Sequence, residues 1–417
     1  MTELNRRTFL AGAALTAAGV ALPARGQSDK IYRACIIGDS EQGGYGHHMH
    51  LAFDLHERIK VVGLADPHEE GRAKHAAEAK AENTYADYKE MLATEKPDIV
   101  AVGPRWTVNH QEYVEACAAA GAHGFLEKPL CSDLAEADAI VDAVEAKDLR
   151  WAIAYNFRMT ETIRHVKKMI NDEKIIGTVV EVRSRGKEDH RAGGEDLIVL
   201  GTHLFDLMRY FMGDPLWCQS DITHNGKTAL PEHVREGTEP LGPVLGNRIH
   251  ATFGFDNGIA GHFSSMRTRE SNGGRWGIDI MGTTGVISIR LNPGARKPVV
   301  KMTREELMNS IVPEVRWLED SGWAARSDRD GAPVSAWKAL PGAPEVNITD
   351  ESRERHAPIV ADLVAAIEEE REPTTSVQDG RAAQEMIQAV YAAYVAGKRV
   401  YFPLESRSHP LPDWTGS

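Results

Sequence analysis

The sequence predicts an α/β Rossmann domain followed by an α+β domain with a large, mostly antiparallel open sheet. Three observations predict it. Short apolar runs alternate with helical stretches from about residue 30 to 155, a glycine-rich turn follows the first of these runs, and β-runs succeed one another without helices after residue 178. The expected organisation is a leader over residues 1–28, a dinucleotide-binding domain over 29–155, an α+β domain over 156–404 whose C-terminal helices can pack back on the first domain, and a tail over 405–417.

Composition narrows the function classes. The 417 residues are 42% apolar and 26% charged, an ordinary globular profile. Asp plus Glu number 61 against 48 Lys plus Arg, a net charge of -13, and no long basic run offsets it, which argues against a nucleic-acid partner. Past the N-terminus no apolar run reaches the roughly 18–20 residues of a membrane span.

At the N-terminus Arg6 and Arg7 precede Thr8-Phe9-Leu10 and an uncharged apolar stretch that ends at small residues, Ala24-Arg25-Gly26. This pattern reads as a twin-arginine export signal and places the mature chain in the periplasm or another extracytoplasmic space. The 4 cysteines, Cys35, Cys117, Cys131 and Cys218, show no metal-like spacing. Cys35 and Cys117 fit buried thiols, and no disulfide is demanded.

Ile31–Ile37 reads as a buried parallel strand ending at Gly38. The turn Gly38-Asp39-Ser40-Glu41-Gln42-Gly43-Gly44-Tyr45-Gly46 follows, and then a helix over about His47–His56. Such a turn lets a backbone approach a pyrophosphate at a helix N-terminus, so Gly38, Asp39, Gly43, Gly44 and Gly46 are cofactor-binding candidates. Asp66 ends the next strand, Lys60–Ala65, about twenty residues on, where a carboxylate accepts bonds from an adenosine ribose and repels a 2′-phosphate. NAD is therefore expected in preference to NADP. His47, His48 and His50 start the expected helix; their spacing does not converge on one ion, and no metal site is expected.

Alternation continues through helix Glu69–Ala81, strand Asp98–Val102, helix Asn109–Ala120, strand His123–Leu126, helix Ser132–Lys147 and strand Leu149–Ala154. Pro104 and Trp106 follow strand Asp98–Val102; Trp106 flanks a nicotinamide or simply packs. Glu127-Lys128-Pro129 stands at the carboxyl end of His123–Leu126, in the crevice where ligands of parallel sheets bind. A lysine there can hold a ribose or substrate hydroxyl, with Glu127 orienting it.

From Tyr32 to Leu404 the chain resembles the glucose–fructose oxidoreductase / inositol dehydrogenase / MocA family. The resemblance is carried by Gly121-Ala122-His123-Gly124-Phe125-Leu126-Glu127-Lys128-Pro129, Asn156-Phe157-Arg158, Ile176-Gly177-Thr178-Val179, the histidine helix Gly201-Thr202-His203-Leu204-Phe205-Asp206-Leu207, and the run from Asp379-Gly380-Arg381 to Phe402-Pro403-Leu404. It implies an NAD-dependent oxidoreductase with His203 and Lys128 catalytic. Its open sheet is also expected to build a homo-oligomer, a dimer or tetramer. Relatives commonly carry an Asp four residues before the histidine; here that position is Val199, leaving the carboxylate missing or supplied by Asp189, Glu195 or Asp196.

In the second half Thr178–Arg185, Asn247–Phe255, Gly258–Met266, Trp276–Met281 and Val286–Leu291 read as strands, residues 292–350 as an irregular excursion, and Ser352–Glu370 and Val377–Ala396 as helices. Arg158, His190 and Asp206 are candidate contacts to a carbohydrate substrate. The implied reaction is hydride transfer at a sugar, polyol or glycoside hydroxyl. The alternative is redox-neutral, NAD-dependent glycoside cleavage. Because free NAD is scarce outside the cytoplasm, an exported enzyme is expected to hold its cofactor through turnover.

Overall fold

The computed structural model describes residues 29–267, 275–291, 299–304, 316–318 and 348–416. The leader and most of the 292–350 excursion lie outside the described residues.

The N-terminal half is a Rossmann domain. Strands β1 (Tyr32–Ile37), β2 (Ile59–Ala65), β3 (Asn83–Tyr85), β4 (Ile99–Val102), β5 (His123–Leu126) and β6 (Trp151–Ile153) form one parallel sheet in the order β3-β2-β1-β4-β5-β6. The order reverses between β1 and β4, so the carboxyl ends of these strands open a crevice. All four residues of β4 are fully buried, as a central strand covered on both faces requires. Helices α1 (Glu69–Ala79), α2 (Tyr88–Glu95), α3 (His110–Ala119) and α4 (Leu134–Glu145) cover the sheet. Asp87 and Asp133 cap α2 and α4 by accepting the amides of Lys89 and Glu136.

Two differences from the sequence expectation matter. Residues 82–97 hold β3 and α2, which the sequence reading left blank because a three-residue strand shows no period. The expected helix His47–His56 is instead a string of tight turns around a 3-10 turn, Met49–Leu51. Gly46 and His48 take left-handed φ values of 51° and 61°. Most amides of this stretch then bond three residues back, Leu51 to His48, Ala52 to Met49 and Asp54 to Leu51. The segment directly after the glycine turn is therefore not an α-helix.

The second half follows a short 3-10 turn (Asn156–Met159) and helix α5 (Glu161–Asn171). Its sheet contains β7 (Val179–Arg185), β8 (Trp217–His224), β9 (Lys227–Thr228), β12 (Arg248–Gly254), β13 (Ala260–Met266), β14 (Gly277–Gly282), β15 (Gly285–Arg290), β16 (Val299–Arg304), β17 (Arg316–Leu318) and β18 (Val400–Tyr401); the pair β10 (Val234–Glu236) and β11 (Pro243–Leu245) stands apart. Among the described strands of this sheet only β7 and β13 pair in parallel, and the other pairings are antiparallel. Strands β16 and β17 fall inside the stretch expected to be irregular.

The histidine helix is the second of two, α6 (Gly194–Val199) and α7 (Gly201–Met212), jointed at Leu200 with φ −109° and ψ −31°. Helix Val377–Ala396, started by a Ser376/Asp379 capping box, packs on β8, α4 and α7. Helix Ile348–Glu369 returns to the Rossmann sheet, where Ile359, Val360, Leu363 and Val364 join the core formed by Tyr32, Ala34, Ile36 and Phe125. All four cysteines are buried and free, and burial raises the thiol pKa of each. Among the described residues no helix is long and apolar enough to cross a membrane.

Candidate active site

The glycine turn bends over the crevice with Gly43, Gly44 and Gly46 at positive φ. A side chain at Gly46 would meet Glu127 Cγ at 2.8 Å and the Gly103 carbonyl at 2.9 Å, and one at Gly43 would meet the Trp106 amide at 2.7 Å. Only glycine allows this approach. Gly44 faces open space. Asp39 turns inward: its carboxylate accepts the amides of Glu41 at 3.1 Å and Gln42 at 2.9 Å and lies 3.2 Å from His68 Nε2. It shapes the loop and keeps those two amides from a phosphate, so its direct cofactor role gives way to a positioning one.

Asp66, expected to receive a ribose, is fully buried. It accepts the Tyr45 hydroxyl at 2.9 Å, the Ser40 amide at 3.1 Å and the His68 amide at 2.9 Å, and bonds the Ser40 hydroxyl. The Tyr45 ring lies over Gly38, where even a Cβ would be 2.1 Å from it. Sequence spacing located the carboxylate but could not show that the long glycine turn folds its own tyrosine onto it.

At the other end of the crevice, Glu127 and Lys128 emerge from β5. Glu127 is fully buried, and its Oε1 lies 2.5 Å from His47 Nδ1. Burial alone would push this carboxyl up, yet His47 and Lys128 bring it down to about 2, so it is ionised. Lys128 is 5% exposed and its ammonium donates to the Val199 carbonyl at 3.5 Å, its one hydrogen bond among the described residues. Burial lowers the Lys128 pKa, Glu127 partly restores it, and Arg191 lowers it again. The Leu200 joint between α6 and α7 leaves the Val199 carbonyl free of the helix ladder and able to serve the lysine. A backbone oxygen thus takes up the cation at the position where the family resemblance leads one to expect an aspartate.

His203 lies in α7, 6% exposed, with no hydrogen bond to its ring among the described residues. Phe157, Tyr155 and Trp276 surround it at ring distances of 5.0, 6.0 and 6.1 Å. Burial first, then the charge of Lys128, hold its pKa well below 6.5, so the imidazole is neutral at physiological pH.

Other candidates separate from this centre. Arg158 and Asp206 turn into each other: the guanidinium grips the Asp206 carboxylate, bonds Asp379 Oδ2 at 2.9 Å and donates to the Thr374 carbonyl at 2.9 Å. They are a brace between α7 and helix Val377–Ala396, only 6% and 1% exposed. His190 is 69% exposed and 3.8 Å from Asp189. None of the three upstream carboxylates reaches His203. Asp189 pairs with Arg191 at 2.6 Å, Asp196 accepts the amides of Lys187 and Glu188, and Glu195 holds Thr238. The Pro104 carbonyl lies 2.7 Å from His110 Nε2, an anchor under the loop. The sequence reading missed the aromatic wall, because Trp276 comes from a segment far along the chain from Tyr155 and Phe157.

Two family models match this chain: the oxidoreductase family's NAD-binding Rossmann fold over residues 33–157, and its C-terminal alpha/beta domain over residues 167–402. The chain belongs to the glucose–fructose oxidoreductase / inositol dehydrogenase / MocA family. Levoglucosan dehydrogenase of Pseudarthrobacter phenanthrenivorans is 29% identical over 254 residues, 55% of this chain and 64% of that enzyme. Myo-inositol 2-dehydrogenase of Thermotoga maritima is 25% identical over 228 residues, 49% of this chain and 67% of that enzyme. The aligned region thus spans about two-thirds of these curated relatives. A levoglucosan dehydrogenase structure in complex with NADH and levoglucosan shares the fold, with a TM-score of 0.67 at 21% identity over 89% of this chain and 99% of that one.

Membership in an NAD-binding family makes the unpartnered atoms of the crevice meaningful. Among the described residues Glu127 Oε2 and Trp106 Nε1 are buried without a hydrogen-bond partner, and Lys128 makes only its long contact to Val199. These groups fit the nicotinamide end of NAD. At the adenosine end the Tyr45 hydroxyl makes the bond to Asp66 that a ribose hydroxyl would make. Glu127, Lys128 and Trp106 would hold the cofactor beside the substrate, with Gly43, Gly44 and Gly46 letting it approach the backbone.

Proposed function

We propose that this chain is an exported NAD-dependent oxidoreductase that interconverts a hydroxyl and a carbonyl on a sugar, polyol or glycoside. The observation that carries the reading is the meeting of a buried cation, Lys128 at the carboxyl end of β5, with a neutral imidazole, His203 of α7, that feels its charge and makes no hydrogen bond among the described residues. NAD, when bound, supplies the hydride acceptor or donor. The Lys128 ammonium donates to the substrate oxygen and favours its anionic form, and the His203 imidazole takes the hydroxyl proton. Phe157, Tyr155 and Trp276 offer flat apolar faces suited to the C–H face of a sugar ring, and they exclude water. Relatives named as dehydrogenases of levoglucosan and myo-inositol support this substrate class.

The pH profile tests the roles. His203 must be neutral to accept a proton, so kcat/KM should fall on the acid side only well below pH 6.5. Lys128 must stay charged, so the alkaline limb should lie below 10.5. Val199→Asp restores a carboxylate one helical turn before His203. That charge stabilises the imidazolium, raises its pKa and should move the acid limb up towards 6.5. An unmoved limb would remove His203 from the role of base.

Export and cofactor retention follow from the Arg6-Arg7 leader. Denaturing the protein isolated from periplasm should release NAD in near-stoichiometric amount; folded protein free of nucleotide would defeat the retention reading. The loss of the aspartate at Val199 favours a second reading, glycoside cleavage with no net redox change. Sugar release without accumulation of reduced cofactor distinguishes it. The open sheet supports a homo-oligomer, a dimer or tetramer, measurable by light scattering.

A further inference from the structure

Away from Lys128 and His203, a second cluster of ligating side chains lies under the shoulder of the glycine turn. Helix α1 carries His75 and Glu78 three residues apart, on one face. His50 meets them from the 3-10 turn Met49–Leu51: its Nε2 lies 2.8 Å from Glu78 Oε2, and His75 Nδ1 lies 3.1 Å from the same oxygen. All three donor atoms are within 4.8 Å of one another. The His50 and His75 rings are 4.6 Å apart, with the Tyr45 ring against both at 5.2 and 4.2 Å.

Hydrogen bonding alone leaves this arrangement unfinished. Both histidines would have to aim an N–H at one carboxylate oxygen. His50 is only 2% exposed and brings its Nε2 to this carboxylate.

We propose that His50, His75 and Glu78 bind one divalent transition-metal ion of the zinc class. Metal bonds of about 2.0–2.2 Å from imidazole nitrogen and carboxylate oxygen can span donors separated by up to about 4 Å. Both contacts to Glu78 already satisfy this. Two imidazoles and one carboxylate suit zinc, with water completing the coordination on the exposed side of Glu78. Sequence inspection missed the site because His47 and His48 are the obvious neighbours of His50, whereas its partners arrive from another helix. His47 instead serves Glu127. The ion would pin the Met49–Leu51 turn and the Tyr45 ring to α1, fixing the glycine turn beside Asp66. It has no part in the proton chemistry at His203, and the proposal stands apart from the substrate reading.

The test uses the full chain, stripped with a chelator and dialysed, then titrated with Zn2+ against a chromophoric competitor. One ion per chain should bind with micromolar or tighter affinity. His75→Ala and Glu78→Gln should each weaken binding at least ~10-fold, with circular dichroism unchanged, while His165→Ala on the exposed face of α5 should have no effect. Replacing Zn2+ by Co2+ should give the visible absorption of a nitrogen- and oxygen-bound ion, lost in both ligand variants. Binding weaker than micromolar, or equal in His75→Ala, Glu78→Gln and His165→Ala, overturns the proposal.

Discussion

Lys128→Ala should lower kcat/KM for the sugar or polyol substrate by about 10³-fold, within the range of ~10²–10⁴ for a positioned proton-handling group, while changing NADH affinity far less. The buried Lys128 ammonium is the strongest charge acting on His203, and among the described residues it hydrogen-bonds nothing but a long contact to Val199. In the ground state its interaction with a neutral hydroxyl is modest. As negative charge develops on that oxygen the attraction grows, because burial strengthens the field. The loss should therefore fall mainly on kcat. Removing Lys128 also removes a charge that lowers the His203 pKa, so the acid limb of the variant should move upward. A Lys128→Ala enzyme with unchanged kcat and unchanged acid limb would place the lysine outside the reaction.

The second large effect is on stability. Arg158→Ala should destabilise the protein by about 3–5 kcal/mol, the usual consequence of stripping one partner from a buried ion pair, and lower the thermal midpoint by roughly 10 °C. Arg158 is 6% exposed and Asp206 1%, so truncating the arginine strands a carboxylate in the core. Asp379 loses one of its two arginines at the same time and keeps only Arg209, at 2.9 Å. A double variant, Arg158→Met with Asp206→Leu, should recover much of the loss, because the desolvated charges leave together. A melting temperature insensitive to Arg158→Ala would instead favour the substrate contact expected from sequence.

Much of the fold was legible from residue order. Buried runs such as Ile99–Val102 mark a parallel sheet, and helix Val377–Ala396 keeps both of its expected ends because Ser376 caps it and Gly397 stops it in a left-handed conformation. Short or conformationally strained elements were not legible. Strand β3 is three residues long, and the stretch after Gly46 follows a left-handed His48 rather than its helix-like composition. The site divides along the same line. Lys128 and His203 are found by their places at a strand end and on an apolar helix. The fates of Asp39, Asp66, Arg158 and Asp206 depend on which neighbours the tertiary fold brings within reach, and polar side chains alone do not announce that. Val199 shows the limit most clearly. Its side chain signals a missing carboxylate, while the carbonyl that replaces it becomes visible only once Leu200 breaks the helix.

The most direct measurement is a crystal structure of the protein soaked with NADH and a sugar alcohol. Density for the nicotinamide ring should lie in the crevice beside Glu127 and Trp106, with a substrate hydroxyl within hydrogen-bond distance of both Lys128 Nζ and a ring nitrogen of His203. Nucleotide bound elsewhere, or a crevice that the Tyr45 ring and glycine turn keep closed at saturating NADH, would contradict the account.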